Sequence, residues 1–498
     1  MDYRSAITEL EEIDRQIVLL EHISSTLSYD QEQALSLSGV EERSRQLGYL
    51  AEQKHALVCS PRMEEVLGFL EGQAKEDEFE KALIRLRRRE FDKSRNLDPA
   101  LIRAISEQAS KAHVSWVASR EQDDWSLFSQ DFSTIVALVK RKASMLAHAQ
   151  ESLYDVLLDD FEPTVTSGTV NSLFQAMKPK LLDLIDVLEE KQVEDSFLFD
   201  TYPVDKQDAF AKRVLSDMGF DFNRGSFAVS VHPFTSTVGC DDVRITTRYS
   251  DPSVADSFSS SVHEGGHALY ELGASSGRLK GTSLANGASF GMHESQSRFW
   301  ENMIAKSLEF WEFYYPFFCD LFPKQTASVD VLQFVKALNK VKRTPIRVNA
   351  DEISYNLHIM LRFEVEKMII DDDLNINDVP AAWNELSSKM LGFMPKSNRE
   401  GVLQDVHWSG GDFGYFPTYA LGNLYAGQIY QKIREDIPLS DYLKAGDLNS
   451  IREYLDAAVY QKGALYSGVE TLQRVTNKSL DANLFTSYLE DKYSRLFG

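Results

Sequence analysis

Val262–Leu272 contains His263-Glu264-Gly265-Gly266-His267, the pattern His-Glu-x-x-His. Positions four apart on a helix lie one above the other on the same face. His263 and His267 can therefore both direct an imidazole nitrogen at one metal ion, with Glu264 close enough to hold a water there and take its proton. The chemistry such a group serves is hydrolysis by metal-activated water. The plainer alternative is two histidines one turn apart on a solvated or core face. A hydrolytic site needs three protein ligands and one open position. Glu271 is a tempting third, but three ligands stacked along one helix would span about 12 Å at a rise of 1.5 Å per residue, too far for one ion. The third ligand should come from another element. Gly291-Met292-His293-Glu294-Ser295-Gln296 follows a small-residue loop and opens a new helical pattern. Glu294 is the preferred ligand and His293 its rival, because sites of this pattern often close with a carboxylate from a following helix.

The elements that must position these residues can be read from local signals. Asp251-Pro252 is a start signal and Gly273 a stop, enclosing a helix of about twenty residues. Gly265 and Gly266 each cost that helix roughly 0.5–1 kcal/mol relative to Ala. Such a doublet implies bare backbone, either for something packing close to the metal or for a tight helix crossing. Just upstream, Ser226–His232 and Val243–Tyr249 are rich in β-formers, with Thr235–Asp241 as the turn between them. An edge strand there can pair with an extended substrate backbone, or the hairpin can be purely stabilising. Elsewhere the pattern is helical. Ile7, Leu10, Ile13, Ile17 and Leu20 recur at helical spacing, Asp98-Pro99 caps another helix, and the aromatic cluster from Phe310 to Phe318 reads as core. The basic run Arg85–Arg89 reads as a solvated helix face balanced by Glu76, Asp77, Glu78 and Glu80.

Six motifs occur in order: His232-Pro233-Phe234, Asp242-Val243-Arg244-Ile245-Thr246, His263 to His267, His293-Glu294-Ser295-Gln296, Ile346-Arg347-Val348-Asn349-Ala350-Asp351, and Gly401-Val402-Leu403-Gln404-Asp405-Val406-His407-Trp408. With these the chain resembles the carboxypeptidase Taq family of metallocarboxypeptidases. The resemblance implies a mainly α fold, with a large helical body, a deep central cleft and a small β-sheet beside the metal helix. It implies a homodimeric enzyme of broad specificity that releases single amino acids from peptide C-termini. One departure is Tyr29-Asp30-Gln31, where the family tends to have Trp-Asp-Gln; the change is expected to touch packing rather than chemistry.

The resemblance also assigns roles. A carboxypeptidase must recognise a free carboxylate, which arginine does with two parallel hydrogen bonds. The family match points to Arg347, and also to Arg244, as that clamp; the alternative is ordinary ion pairing with Asp351, Glu352 or Asp242. His407 and Tyr415, in a glycine-rich loop, are implied as donors to the oxyanion that forms on the scissile carbonyl. Tyr419 could substitute for Tyr415, and His232 is expected to shape the cleft wall.

Length and composition bound the rest. The 498 residues are expected to form a single peptidase catalytic domain (1–498), with a helical subdomain at 1–160 forming one cleft wall and 161–498 carrying the metal site. A net charge of −23 disfavours nucleic acid and anionic membranes as partners. Cys59, Cys240 and Cys319 are few and widely spaced, which suits a reducing cytoplasm. No signal peptide or membrane span is read at Met1-Asp2-Tyr3-Arg4 or beyond. One divalent metal is expected, zinc first, with cobalt or manganese compatible with the same ligands. The partners are then peptides with a free C-terminus. The rival readings are an endo-acting oligopeptidase on the same scaffold and an inactive metal-bearing protein that binds peptides.

Overall fold

The computed structural model describes residues 2–73, 77–149, 151–249 and 253–498. Glu76, Asp251 and Pro252 lie outside the described residues. Helices dominate, as the periodicity predicts, and a three-stranded sheet is inserted among them. No helix of the described residues is long and apolar enough to cross a membrane.

The chain divides into two compact units, each built from three separated segments. Residues 1–95, 194–338 and 425–480 form unit 1; residues 96–193, 339–424 and 481–498 form unit 2.

Unit 1 begins with helix α1, Tyr3–Gln33, capped by the Asp2 carboxylate, which accepts from the Ser5 backbone N–H. Ile7, Leu10 and Ile17 of α1 share a core with Met63, Leu67 and Leu70 of helix Pro61–Glu71 and with Phe79, Leu83 and Phe91 of helix Glu78–Arg95. The basic run on that last helix is paired with acids: Arg87 is 1 % exposed and donates to Asp14, while Arg88 donates to Asp92. Most of the aromatic cluster is core: Phe310, Trp311, Tyr314, Tyr315 and Phe318 are buried, whereas Phe313 is exposed and Phe317 half-buried.

The sheet corrects the expected hairpin. Thr235–Asp241 is not simply a turn, because Thr235–Gly239 is itself a strand. Strands β1 (Gly225–Val229), β2 (Thr235–Gly239) and β3 (Asp242–Thr247) lie in the order β1-β3-β2, with β1 parallel to β3 and β2 antiparallel to it. The two β-branched residues Thr235 and Thr237 favour the extended backbone, so β2 and β3 make the hairpin and β2 is an edge.

The metal helix α2 spans Val254–Ala274 and is followed by α3, Phe290–Arg298. Gly273 is not the helix stop. It lies in the last turn, where a Cβ would sit 2.5 Å from Cβ of Tyr460. The glycine doublet resolves toward the helix crossing. A Cβ on Gly266 would lie 2.7 Å from the Gln296 carbonyl oxygen and 2.8 Å from Cα of Ser297, and one on Gly265 would lie 2.5 Å from the Leu215 side chain. Backbone-to-backbone contact at Gly266 thus brings α3 against α2. One π-helical turn, Phe299–Ile304, continues α3.

Unit 2 packs helix Pro99–Gln122 against Ser126–Leu146 and adds Ser167–Glu189, Ser354–Ile370, Val379–Leu391 and Ala482–Phe497. Phe132 stacks on Trp408 with ring centroids 5.6 Å apart and meets Trp125 edge-on at 5.4 Å. These contacts seat the loop that begins at His407.

Candidate metal centre and substrate residues

In unit 1, ligand atoms of His263, His267 and Glu294 all lie within 4.8 Å of one another, the arrangement of a cation site. His263 Nε2 is 3.6 Å and His267 Nε2 3.4 Å from Glu294 Oε2. Both Nδ1 atoms are committed elsewhere. His263 Nδ1 is 2.9 Å from Glu301 Oε2, and His267 Nδ1 is 2.5 Å from His293 Nδ1. His293 Nε2 in turn is 2.6 Å from Glu271 Oε1. A consistent proton assignment follows. Glu271 accepts from His293 Nε2–H, which leaves His293 Nδ1 as acceptor for His267 Nδ1–H. His267 Nε2 then presents its lone pair, and Glu301 does the same for His263. Outer partners of this kind hold metal ligands in their binding tautomer and orientation. The other oxygen of Glu294 accepts from Arg298 Nε at 2.7 Å, while Oε2, the oxygen that faces both histidines, accepts from Ser297 Oγ at 3.1 Å.

The protonation preferences of Glu294 and His267 agree with that assignment, whereas His263 must give up a proton to bind a cation. Burial opposes the ionisation of Glu294, but Arg298 and the two histidines outweigh it and hold the carboxyl well below the usual range. Burial lowers His267 to about 4, leaving it neutral. His263 is raised, because Glu294 and Glu301 overcome the cost of burying its charge. Two imidazoles that can present a lone pair and one carboxylate are a donor set that fits a divalent cation.

Glu264 is 7 % exposed, and burial raises its carboxyl. Thr235 Oγ1 donates to its Oε2 at 2.6 Å, and Thr237 Oγ1 donates to Glu271 Oε2 at 2.9 Å. Residues two apart on a strand share a face, so β2 pins two carboxylates of α2 at once. Sequence inspection did not find Thr235, Thr237, Arg298 or Glu301. The spacing of Arg298 and Glu301, four and seven residues past Glu294 on one helical face, was the signal available for the latter two.

The role of Glu301 is testable. Glu301→Gln keeps the size and one acceptor oxygen but removes the negative charge that faces His263 Nδ1. Metal affinity measured by chelator competition should fall by about 10–100-fold. Unchanged affinity would leave Glu301 a bystander.

Arg244 of unit 1 donates to Asp242, with Nη2 to Oδ2 at 2.7 Å. Its guanidinium lies 4.9 Å from the centre of the Tyr29 ring, and that ring meets Phe234 edge-on at 5.8 Å. The Tyr29 departure therefore touches a candidate substrate residue as well as packing. His232 is exposed, and its carbonyl accepts from Ser230 Oγ at 2.6 Å.

In unit 2, Arg347 is 7 % exposed. Its partner is neither Asp351 nor Glu352. Nε and Nη2 donate to Asp405 Oδ1 at 3.0 and 2.8 Å, and Nη1 donates to the Tyr355 hydroxyl at 2.8 Å. The rings of Tyr355, Phe416 and Tyr419 lie around it. Asp405 Oδ2 also accepts from Arg362 Nε at 2.7 Å. Two arginines thus share one carboxylate, which leaves a net positive charge.

Burial works against the Asp405 charge, but Arg347 and Arg362 hold its carboxyl well below the ordinary 3.8. A depressed folded-state value contributes stability that is present above the unfolded value and lost as pH falls below it. Thermal unfolding midpoints should therefore drop as pH falls below about 3.8. Asp405→Asn should weaken that acid dependence and cost about 3–5 kcal/mol at pH 7, because two buried cations lose their counter-ion. Unfolding scans of both proteins across pH check this, and parallel curves would contradict it.

His407 Nε2 is 3.4 Å from the Tyr419 hydroxyl, and its ring centroid is 5.3 Å from that of Tyr415. Burial lowers His407 to about 4, so it is neutral near pH 7. Tyr415 packs edge-on against Phe161 at 5.0 Å. Both phenols therefore lie beside the imidazole, Tyr419 with its hydroxyl and Tyr415 with its ring.

A sequence model of the carboxypeptidase Taq (M32) metallopeptidases matches residues 9–493. Thermostable carboxypeptidase 1 of Thermus thermophilus is 36% identical over 512 residues, covering 100% of both chains. Carboxypeptidase 1 of Bacillus subtilis is 35% identical over 475 residues, covering 95% of this chain and 94% of the other. Among solved structures, an M32 carboxypeptidase from Deinococcus radiodurans superposes with a TM-score of 0.96 at 30% identity, covering 99% of this chain and 100% of that one. A Pyrococcus furiosus carboxypeptidase gives 0.95 at 34% identity, with 98% and 99% covered.

Proposed function

Because the chain belongs to the carboxypeptidase Taq (M32) metallopeptidase family, a group of metallocarboxypeptidases that hydrolyse peptide bonds, we propose the following division of labour among its residues. His263 Nε2, His267 Nε2 and Glu294 Oε2 hold the divalent metal. The observation that carries this is the convergence of their ligand atoms within 4.8 Å, with the Nδ1 of each histidine engaged elsewhere. When bound, the metal polarises the scissile carbonyl and brings the pKa of its water toward about 7. Zinc suits two imidazoles and one carboxylate, and cobalt or manganese can take the same donors.

Glu264 accepts the proton of the attacking water and later delivers it to the leaving amine. Thr235 aims the carboxylate for that exchange. His407, held neutral by burial, and Tyr415 or Tyr419 donate to the developing oxyanion. Arg347 receives the C-terminal carboxylate. Three of its five N–H donors are spent on Asp405 and Tyr355, which leaves two for the substrate. Arg244, steadied by Asp242 and Tyr29, and His232 contribute to substrate binding. Cleavage then falls one residue from the C-terminus. The three cysteines are unpaired, which fits a reducing cytoplasm, and a homodimer is proposed from the family.

Mass spectrometry of one peptide as free acid and as amide tests this, with enzyme freed of metal and enzyme given Zn or Co. Metal-dependent, stepwise loss of single residues from the free acid alone is expected. Internal cuts in both peptides would make the enzyme an oligopeptidase. No cleavage under any metal would leave a peptide-binding scaffold.

A further inference from the structure

Unit 1 contains a cavity of about 340 Å³ bounded by α1, β2, the end of α2 and the loop that follows it. Four features describe its chemistry. Its ionisable lining consists of Glu21, Glu271, His22 and the Cys240 thiol, with no lysine or arginine. Burial lowers the pKa of His22 further than Glu21 and Glu271 raise it, so this imidazole is neutral near pH 7. Ser275 lines the cavity, is 5 % exposed, and its Oγ meets no hydrogen-bond partner. A buried hydroxyl without a partner is costly unless a ligand or water completes it. Finally, Thr235 and Thr237 line the same cavity while bonding to Glu264 and Glu271. The cavity therefore adjoins the proposed acid–base residue.

The charges nearby do not cancel. Lys54 pairs with Glu21 at 2.6 Å and Glu90 at 3.1 Å, and Arg87 pairs with Asp14 and Glu90. Glu271 adds a further carboxylate, so acidic groups outnumber cationic ones around the cavity. A C-terminal carboxylate would be repelled there. A donor-rich cation would be attracted, with Ser275 and Glu21 as acceptors for its N–H groups.

We propose that this cavity is a subsite for an ammonium or guanidinium group of the peptide, carried on the N-terminal side of the scissile bond. The proposal rests on the peptidase reading and adds a substrate preference to it. The cation has two sources, a free α-amino group or a Lys or Arg side chain, and the experiment separates them.

Four short peptides with the same two C-terminal residues supply the test. Upstream they carry lysine or norleucine, each with a free or an acetylated N-terminus. Calorimetric binding to enzyme stripped of metal reads the cavity without turnover, and cleavage by metal-loaded enzyme is followed in parallel. At least one cationic peptide should bind about tenfold more tightly than the acetylated norleucine peptide, and should show a lower KM at unchanged kcat. The lysine or amine arm that carries the gain identifies the source. Glu21→Gln, remote from the acid–base chemistry, should erase the preference while cleaving the acetylated norleucine peptide normally, and Ser275→Ala should reduce it. Equal binding of all four peptides would overturn the proposal, as would a preference that survives Glu21→Gln. Absence of any cleavage would instead overturn the carboxypeptidase reading, while the binding arm still judged the cavity.

Discussion

Glu264→Gln is expected to keep its metal and lose nearly all turnover, with kcat lowered by roughly 10²–10⁴-fold. Glutamine fills the same volume, and its amide oxygen can still accept from Thr235, which now donates to Glu264 Oε2 at 2.6 Å. The proposed metal ligands and their outer partners, Glu301 for His263 and His293 for His267, are untouched. What is lost is a group that can take a proton and return it. Metal stoichiometry by mass spectrometry and single-turnover kinetics check both halves together. Full activity with metal bound would end the acid–base role of Glu264. Loss of metal along with activity would mean that Glu264 helps build the site. The burial that raises the Glu264 carboxyl suits the proposed role, because a buried carboxylate is a stronger base than one in water.

Arg347→Ala is expected to collapse the distinction between free-acid and amidated peptides. Truncating one partner of a buried, hydrogen-bonded charge pair costs about 2–5 kcal/mol, which corresponds to a loss of roughly 30- to 5,000-fold in kcat/KM on free acids. Amidated peptides should change little. The substitution also leaves Asp405 to Arg362 alone, so stability must be followed alongside. Arg347→Lys separates the two effects, because it keeps the charge near Asp405 and loses the planar fork that matches a carboxylate. If the Arg347→Lys enzyme folds normally and loses selectivity, Arg347 is the clamp. If both variants retain a preference for free acids, Arg347 only balances Asp405, and Arg244 becomes the candidate. Arg244 is already held by Asp242 and faced by Tyr29. Tyr29, beside Arg244, is thus a further position to substitute when substrate handling is tested.

Some of this was determined by the sequence alone, because it depends on short-range geometry. His263 and His267 face one way whenever their segment is helical, since a four-residue spacing nearly completes one turn. The same rise per residue excluded Glu271 as a third ligand of the same ion; in the structure Glu271 bonds His293 instead. Helical periodicity and the aromatic run identified the core of α1 and most of the buried aromatics between Phe310 and Phe318.

Other features depended on how distant segments meet. The two meanings open to Gly265-Gly266 were separated only by the approach of Gln296 and Ser297 backbone to Gly266. That crossing brings Glu294 beside both histidines and His293 between His267 and Glu271. Thr235 looked like part of a turn because strand pairing is a long-range property, and its hydroxyl finds Glu264 only once β2 lies along α2. Arg347 had acidic neighbours within five residues, yet its carboxylate is Asp405, 58 positions away. Spacing along the chain constrains what one helix can hold. A catalytic site also needs burial, a counter-charge and a fixed tautomer, and those come from residues that only folding brings into contact.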